Sequence, residues 1–392
     1  MEEISQVKKI LLRMNDDELL QLLRLACQDR QKNRSSCRLQ EHPSPSDVAW
    51  YNQIRGSIDR TCERRLAEEK QRLKANPSSN VDRKWIRYAE AFRKLPFHVP
   101  DIFRTAMQPK LLYNRLLAFC EDHDIPQEII PSILPSLISY IRTGRMRPAI
   151  ICGEKGCGKT TAFRLLIREA LNIPVAVIKV PEEDAGHGLT GTCGSYTSAD
   201  MGAIGRAMLH ENSAVVGLLF DEIDKAVHNT SHTSIDDELL SITDESVSTV
   251  ADKYLESTLT TLPHCPIFMT CNDLQKVSPI LVDRCTVIYF PRANVKRLHS
   301  VTQKFARVKL EDELYQTVQF DFDLLDQSID TLASHNVYSL RKHQQLVEKV
   351  LQNAFHLAML QPDGQRVRIT KDMFLSAESE ILGIEHRRLG FG

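Results

Sequence analysis

The chain holds little glycine and little proline, 16 and 17 residues in 392, which excludes collagen-like and low-complexity structures. No charge sign dominates: 50 Lys and Arg stand against 51 Asp and Glu, a net charge of −1. No whole-chain field therefore points toward nucleic acid or a membrane. Nowhere does the sequence approach the roughly 18 unbroken apolar residues of a bilayer-spanning helix, so no membrane partner is expected. The first residues, MEEISQVKK, lack the basic-then-apolar layout of a secretion signal. Ten cysteines are present, but with no CxxC pair and no regular spacing. That argues against a disulfide or zinc framework and for reduced thiols, so the expected compartment is cytoplasmic. What is there, 42% hydrophobic and 26% charged residues, is the composition of a folded globular protein. The length suggests two or three domains of about 150 residues.

Three regions differ in texture. Residues 1–94 read as a helical region, a plausible binding site for a partner or substrate. Ile4, Val7, Ile10, Leu11, Met14 and Leu19 fall at helix spacing. A second helix starts near PSPSD and runs through RTCERRLAEEKQRLK to the breaker NPSSN. A third surrounds Trp85, Tyr88 and Phe92. LPFHVPD (95–101) then marks a boundary. Over residues 95–292, and from about 145 in particular, short apolar runs alternate with helical segments: AIIC (149–152), VAVIKV (175–180), AVVGLLF (214–220), PIFMT (266–270) and TVIYF (286–290). Such runs spaced by helices fit a parallel sheet covered on both faces, an α/β domain. Residues 293–392 are helical again, most clearly QQLVEKVLQNAFHLAML (344–360). HNTSHTS (228–234) reads as a loop.

The strongest motif is Gly153-Glu154-Lys155-Gly156-Cys157-Gly158-Lys159-Thr160, which fits GxxxxGK[ST] between an apolar strand and a helix. Its glycines let the backbone curl until the N–H groups of residues 153–161, through Thr161, converge on phosphate oxygens. Lys159 is expected to reach the β- and γ-phosphates of ATP, and the Thr160 hydroxyl to ligate Mg²⁺. Cys157 sits inside this loop two residues from Lys159. Either it is a small residue that merely fits, or the nearby charge and helix start favour a reactive thiolate.

Leu218-Leu219-Phe220-Asp221-Glu222 is an apolar strand ending in two carboxylates. Magnesium gives that pair a purpose: Asp221 holds the ion, and Glu222 orients and deprotonates the attacking water. Asn272, after the next strand, is placed to position that water and sense the γ-phosphate.

P-loop, Asp-Glu pair and strand-end Asn, in that order, resemble an AAA+ ATPase. Finer features resemble the ATPase module of Lon-type proteases over roughly residues 95–385. LPF (95–97) is similar to the opening of that module, and Asp122-His123 to the Asp-His-Tyr-Gly near its adenine. DEIDK (221–225), DDELLSITDESVSTVADKYLE (236–256), PILVDRCTVI (279–288) and SLRKHQQLVEKVL (339–351) resemble further Lon segments. The resemblance implies a P-loop AAA+ fold with a parallel sheet flanked by helices, then a helical lid over 293–392. It also implies ATP with Mg²⁺ as cofactors, and a homo-oligomer, a hexameric ring or spiral, acting on a protein substrate or a separate effector.

Residue by residue, it makes Arg284 an arginine finger for the neighbouring subunit's site. Arg341 becomes the lid arginine that touches the γ-phosphate, although an alternative register places Tyr338 there. Tyr196, in GSYTSADMGAIGRAM, falls at the pore-loop aromatic that grips an extended polypeptide. Asp124 stands where Lon carries its adenine-proximal tyrosine, and GHGLTGTCG (186–194) lacks Lon's basic residues. The chain ends about where Lon's Ser-Lys protease domain begins, so no protease activity of its own is expected.

An alternative from another class is a nucleotide-switched nucleic-acid regulator or loader. Residues 1–100 hold 20 Lys and Arg against 14 Asp and Glu, and the other 292 hold 30 against 37. The basic side includes Arg60, Arg64, Arg65, Arg72, Arg83, Lys84 and Arg87. They are interleaved with acids, which also suits a solvated helical face. A third reading is a signalling ATPase that scaffolds an effector without threading anything.

Overall fold

A computed structural model describes residues 63–68, 70–72, 74–75, 83–96, 109–181, 188–193, 199–225, 235–244, 249–255, 257–261, 265–360 and 366–383. Tyr196, the helix expected before residue 43 and the loop at 228–234 lie outside these residues. Residues 63–68, 70–72 and 74–75 are helical, and helices α1 (Arg83–Arg93), α2 (Pro109–Asp122) and α3 (Ile130–Thr143) follow. Strand β1 (Ala149–Cys152), helix α4 (Lys159–Leu165) with a π-helical turn (Leu166–Ala170), β2 (Val175–Lys179) and α5 (Ala203–His210) follow. Next come β3 (Gly217–Asp221), α6 (Ile235–Ile242), β4 (Thr249–Asp252), β5 (Ser257–Thr261), β6 (Ile267–Cys271), α7 (Pro279–Arg284) and β7 (Thr286–Tyr289). The remainder is α8 (Val295–Leu310), β8 (Val318–Gln319), α9 (Phe322–Ser334), α10 (Leu340–Met359), β9 (Val367–Arg368) and α11 (Lys371–Leu382).

These elements form two compact units. The first takes in the described residues up to Phe119 together with those of Gln127–Ile151 and Phe163–Ile288. Its centre is a five-stranded parallel sheet in the order β2-β3-β6-β1-β7. Ala176 pairs with Leu218 across β2 and β3, and Leu218 with Ile267 across β3 and β6. Both faces are covered, so the central strands are apolar on both sides. All five residues of β6 are buried, as are the first four of β3. The expected run at 214–220 enters the ladder only at Gly217, because the Ala214 N–H donates to Pro96 O instead.

Helix α1 is built into the same unit. Trp85 and Ala89 are fully buried, and Tyr88 meets Tyr254 edge-on with ring centroids 6.2 Å apart. Two strands that the sequence pattern does not announce, β4 and β5, pair as an antiparallel hairpin with an irregular register at Val250 and Ala251. Two buried carboxylates fasten it. Glu238 on α6 accepts from Leu189 N at 2.7 Å and pairs with Lys253 Nζ at 2.9 Å. Asp252 accepts the N–H groups of Gly202, Tyr254 and Leu255.

The second unit comprises Cys120–Pro126, Cys152–Ala162 and the described residues from Tyr289 on. Its helical core contains Leu298, Leu325, Ile329, Leu346, Val350 and Phe374. Local chemistry sets three of the helix starts. Asn294 accepts from Arg297 N before α8, Asp321 from Asp323 N and Leu324 N before α9, and Ser339 from Lys342 N before α10. A short parallel pair, β8 with β9, completes it. The helix expected at 344–360 begins four residues earlier, at Leu340, where Ser339 caps it.

Candidate functional site

The phosphate-loop motif follows β1 and runs into α4. Gly156 and Gly158 have φ of 79° and 91°, a region that side chains with a Cβ avoid. A methyl group at Gly156 would also overlap the Ser339 hydroxyl. Gly153 is needed for space: a methyl there would lie 2.6 Å from the Phe290 carbonyl oxygen. Lys159 is buried, and its ammonium donates to the carbonyls of Gly153 and Glu154 at 2.7 and 2.9 Å. Glu154, Lys155 and Thr161 are exposed and Thr160 is half-buried. Turned backbone amides, one ammonium and a hydroxyl at a helix start make a donor set that suits a polyphosphate with its magnesium ion.

Burial separates the two readings of Cys157 and favours the small residue that merely fits. The side chain is buried within the loop, and desolvation pushes the thiol above its ordinary value. The charges of Lys159 and Arg297 and two N–H bonds oppose the shift without overcoming it.

The acidic pair and the asparagine lie at the carboxyl ends of the neighbouring interior strands β3 and β6. Asp221 ends β3, and its Oδ1 accepts from the Thr270 hydroxyl. The same oxygen of Thr270 accepts the Glu222 N–H at 3.2 Å. Glu222 has φ of 60°, a backbone that costs a non-glycine residue of order 1 kcal/mol or more. Its carboxylate pairs with Lys225 Nζ at 2.6 Å. Asn272 follows β6, and its N–H and Nδ2 both donate to Asp224 Oδ2, at 3.1 and 3.4 Å. Asp224 thus orients Asn272, while its other oxygen is buried with no hydrogen-bond partner among the described residues.

Arg284 ends α7. Its guanidinium donates to Leu240 O at the end of α6, and Nη2 lies 3.3 Å from Asp244. Arg147 in turn holds the last turn of α7, donating to the carbonyls of Asp283 and, at 3.1 Å, Arg284.

In the second unit, Arg341 opens α10 next to the phosphate loop. It is exposed, and a methyl group at Gly156 would lie 3.6 Å from its Cβ. Leu340 N donates to Gly156 O at 2.9 Å. Tyr338, the alternative in that register, lies beneath the Arg292 guanidinium at 3.9 Å. Asp124 has φ of 52° and spends its carboxylate on the Ser300 hydroxyl and Lys304, each at 2.6 Å.

Sequence reasoning missed Thr270, Asp224, Lys225, Arg147 and Arg297. Asp224 and Lys225 stood inside a quoted motif, and Thr270 inside a quoted strand. The two arginines carry no local signal.

Residues 149–292 match the family described as ATPase family associated with various cellular activities (AAA). A curated relative, the Lon protease homolog of Acanthamoeba polyphaga mimivirus, is 27% identical over 178 residues. That match takes in 45% of this chain and 17% of the relative, so the chain spans about a sixth of the relative's length. Among solved structures, the Thermotoga maritima RuvB Holliday junction branch migration motor has a TM-score of 0.42 at 15% identity, over 67% of this chain and 72% of that one. A mutant of the same protein has a TM-score of 0.41 at 16% identity, over 68% and 72%. Among the described residues no helix is long and apolar enough to cross a membrane.

Proposed function

Because residues 149–292 form an AAA-family ATPase domain similar to that of a Lon protease homolog, we propose that the chain is an ATP-hydrolysing AAA+ motor. It remodels or unfolds a protein substrate, or activates a separate effector, from a ring or spiral of copies. The observation that carries the hydrolytic part is the coupling of Asp221 and Glu222 through Thr270. That coupling fixes a carboxylate pair at the end of a central strand.

ATP is held by the amides of residues 153–161 and by Lys159, with Thr160 and Asp221 as the metal ligands. Magnesium, when bound there, would supply neutralisation of phosphate charge. Glu222 accepts the proton of the attacking water, and Asn272, oriented by Asp224, holds that water in line. Arg284 serves the site of a second copy, where a guanidinium stabilises charge on the transferring phosphoryl group. Arg341 reports the γ-phosphate to the lid from the same chain. Tyr196 meets the polypeptide.

The nucleic-acid alternative rests on the basic N-terminal residues, and several of them have other partners. Arg65 lies 4.5 Å over the Trp85 ring, Lys70 pairs with Glu90 at 3.3 Å, and Lys84 with Asp200 at 2.7 Å. These contacts support a solvated helical face over a phosphate-binding one.

The deciding experiment measures ATP turnover with and without an unfolded protein, in the wild type and in Tyr196→Ala. Stimulation that Tyr196→Ala abolishes is the expected result. Stimulation by DNA or RNA, with binding that weakens steeply as salt rises, would favour the alternative. Turnover indifferent to Tyr196→Ala would favour a scaffold that threads nothing.

A further inference from the structure

Arg297 lies outside every motif that the sequence brings forward. It sits in the first turn of α8, where its own N–H is held by Asn294 Oδ1 at 2.8 Å. Its guanidinium reaches two distant segments at once. Nη1 donates to Cys157 O inside the phosphate loop at 3.0 Å, and Nε donates to Asp124 O at 2.6 Å. The Phe290 ring lies beneath it, 5.3 Å from the guanidinium carbon. A methyl group at Gly158 would stand 3.3 Å from Nη2, so the absent side chain at 158 leaves room for this guanidinium.

An anion site made of backbone amides works only if the interleaved carbonyls point elsewhere, since each carries a partial negative charge. The carbonyl of Cys157 belongs to the residue between the two positive-φ glycines, Gly156 and Gly158. It needs a donor on the side away from the phosphates. A charged, planar donor suits this, because two N–H groups of one rigid fork can serve two acceptors at a fixed separation.

We propose that Arg297 is a positioning residue for nucleotide binding: by bridging the carbonyls of Cys157 and Asp124 it holds the phosphate loop in the curl that presents its amides. The inference rests on the reading of residues 153–161 as an ATP site. It requires no contact between Arg297 and the nucleotide. The residue sets affinity, and the chemical step belongs to Glu222. Lysine at this position keeps the charge but lacks the planar fork that places two N–H groups at a fixed separation, so it should recover only part of the effect.

The test is the KM of full-length protein for MgATP, with equilibrium binding of MgATP, in wild type, Arg297→Ala, Arg297→Lys and Arg307→Ala. Arg307 is the control, a guanidinium on the same helix, 4.7 Å over the Phe322 ring. Two charge-assisted hydrogen bonds are worth roughly 10- to 100-fold in affinity. Arg297→Ala should therefore raise KM and Kd by about tenfold or more, with kcat changed less than about threefold. Arg297→Lys should fall between, and Arg307→Ala should match the wild type. Thermal unfolding without nucleotide shows whether the alanine variant is folded; if it is not, the lysine variant decides. Wild-type KM in the folded variants, or an equal loss in Arg307→Ala, overturns the proposal and leaves the ATP site standing. A wild-type protein that does not bind MgATP overturns both.

Discussion

Thr270 ties Asp221 to the residue that follows it. Its hydroxyl donates to Asp221 Oδ1, and the same oxygen accepts the Glu222 N–H at 3.2 Å. Thr270 is 1% exposed, so no water replaces it cheaply. Thr270→Val should lower kcat by about tenfold or more, with a smaller change in ATP binding, and cost about 1–3 kcal/mol of stability. Thr270→Ser should restore turnover. Steady-state kinetics beside urea unfolding checks both.

Glu222→Gln should bind ATP and stall. A general base contributes roughly 10²–10⁴ in rate, and the Lys225 ion pair at 2.6 Å shows that the carboxylate is already held by a neighbour. Turnover close to wild type in Glu222→Gln would remove Glu222 from the base role. The same variant with ATP should retain substrate and partner in a pull-down.

Cys157 should react slowly with a maleimide. It is buried and its thiol is raised by desolvation, whereas Cys193 is exposed. Mass spectrometry of briefly labelled protein should find Cys193 modified before Cys157, with Cys157 at least tenfold slower.

Legibility in the sequence followed distance along the chain. The strand β1, the phosphate loop and the Asp221–Glu222 pair are contiguous words, and β1 was read with both ends correct. Strand β3 was read from 214, because Ala214, Val215 and Val216 are apolar although the first hydrogen-bonds to Pro96. The β4–β5 hairpin was missed: STLTT is short and polar, with no alternation to mark a face. Arg297 to Cys157 spans 140 residues and Arg147 to Arg284 spans 137. Contacts of that range leave no local pattern. Cys157 stays open between two readings in the sequence for a related reason, since sequence neighbours show charge but not burial.

His299 gives the second unit a pH signature. Burial lowers its pKa, but hydrogen bonds and charge from Asp326 and Asp330, both at 2.8 Å, outweigh that and raise it. A folded-state value above the unfolded one stabilises fully below about pH 6.5, and the gain is lost as pH rises through the folded value. His299→Gln should therefore lose more stability near pH 6 than near pH 8.5. Buried His343 is lowered by desolvation, which acts with the opposite sign in both proteins and cancels to first order. Thermal melts of the pair across that range provide the check.

The central claim is that ATP bound by residues 153–161 of one copy is cleaved with help from Arg284 of another. Mixing Lys159→Ala with Arg284→Ala measures it directly, because each variant lacks what the other supplies. Each should be inactive alone, and mixed assemblies should recover a substantial fraction of wild-type turnover. Full activity of Arg284→Ala by itself, or mixed assemblies that form and stay inactive, would contradict the account.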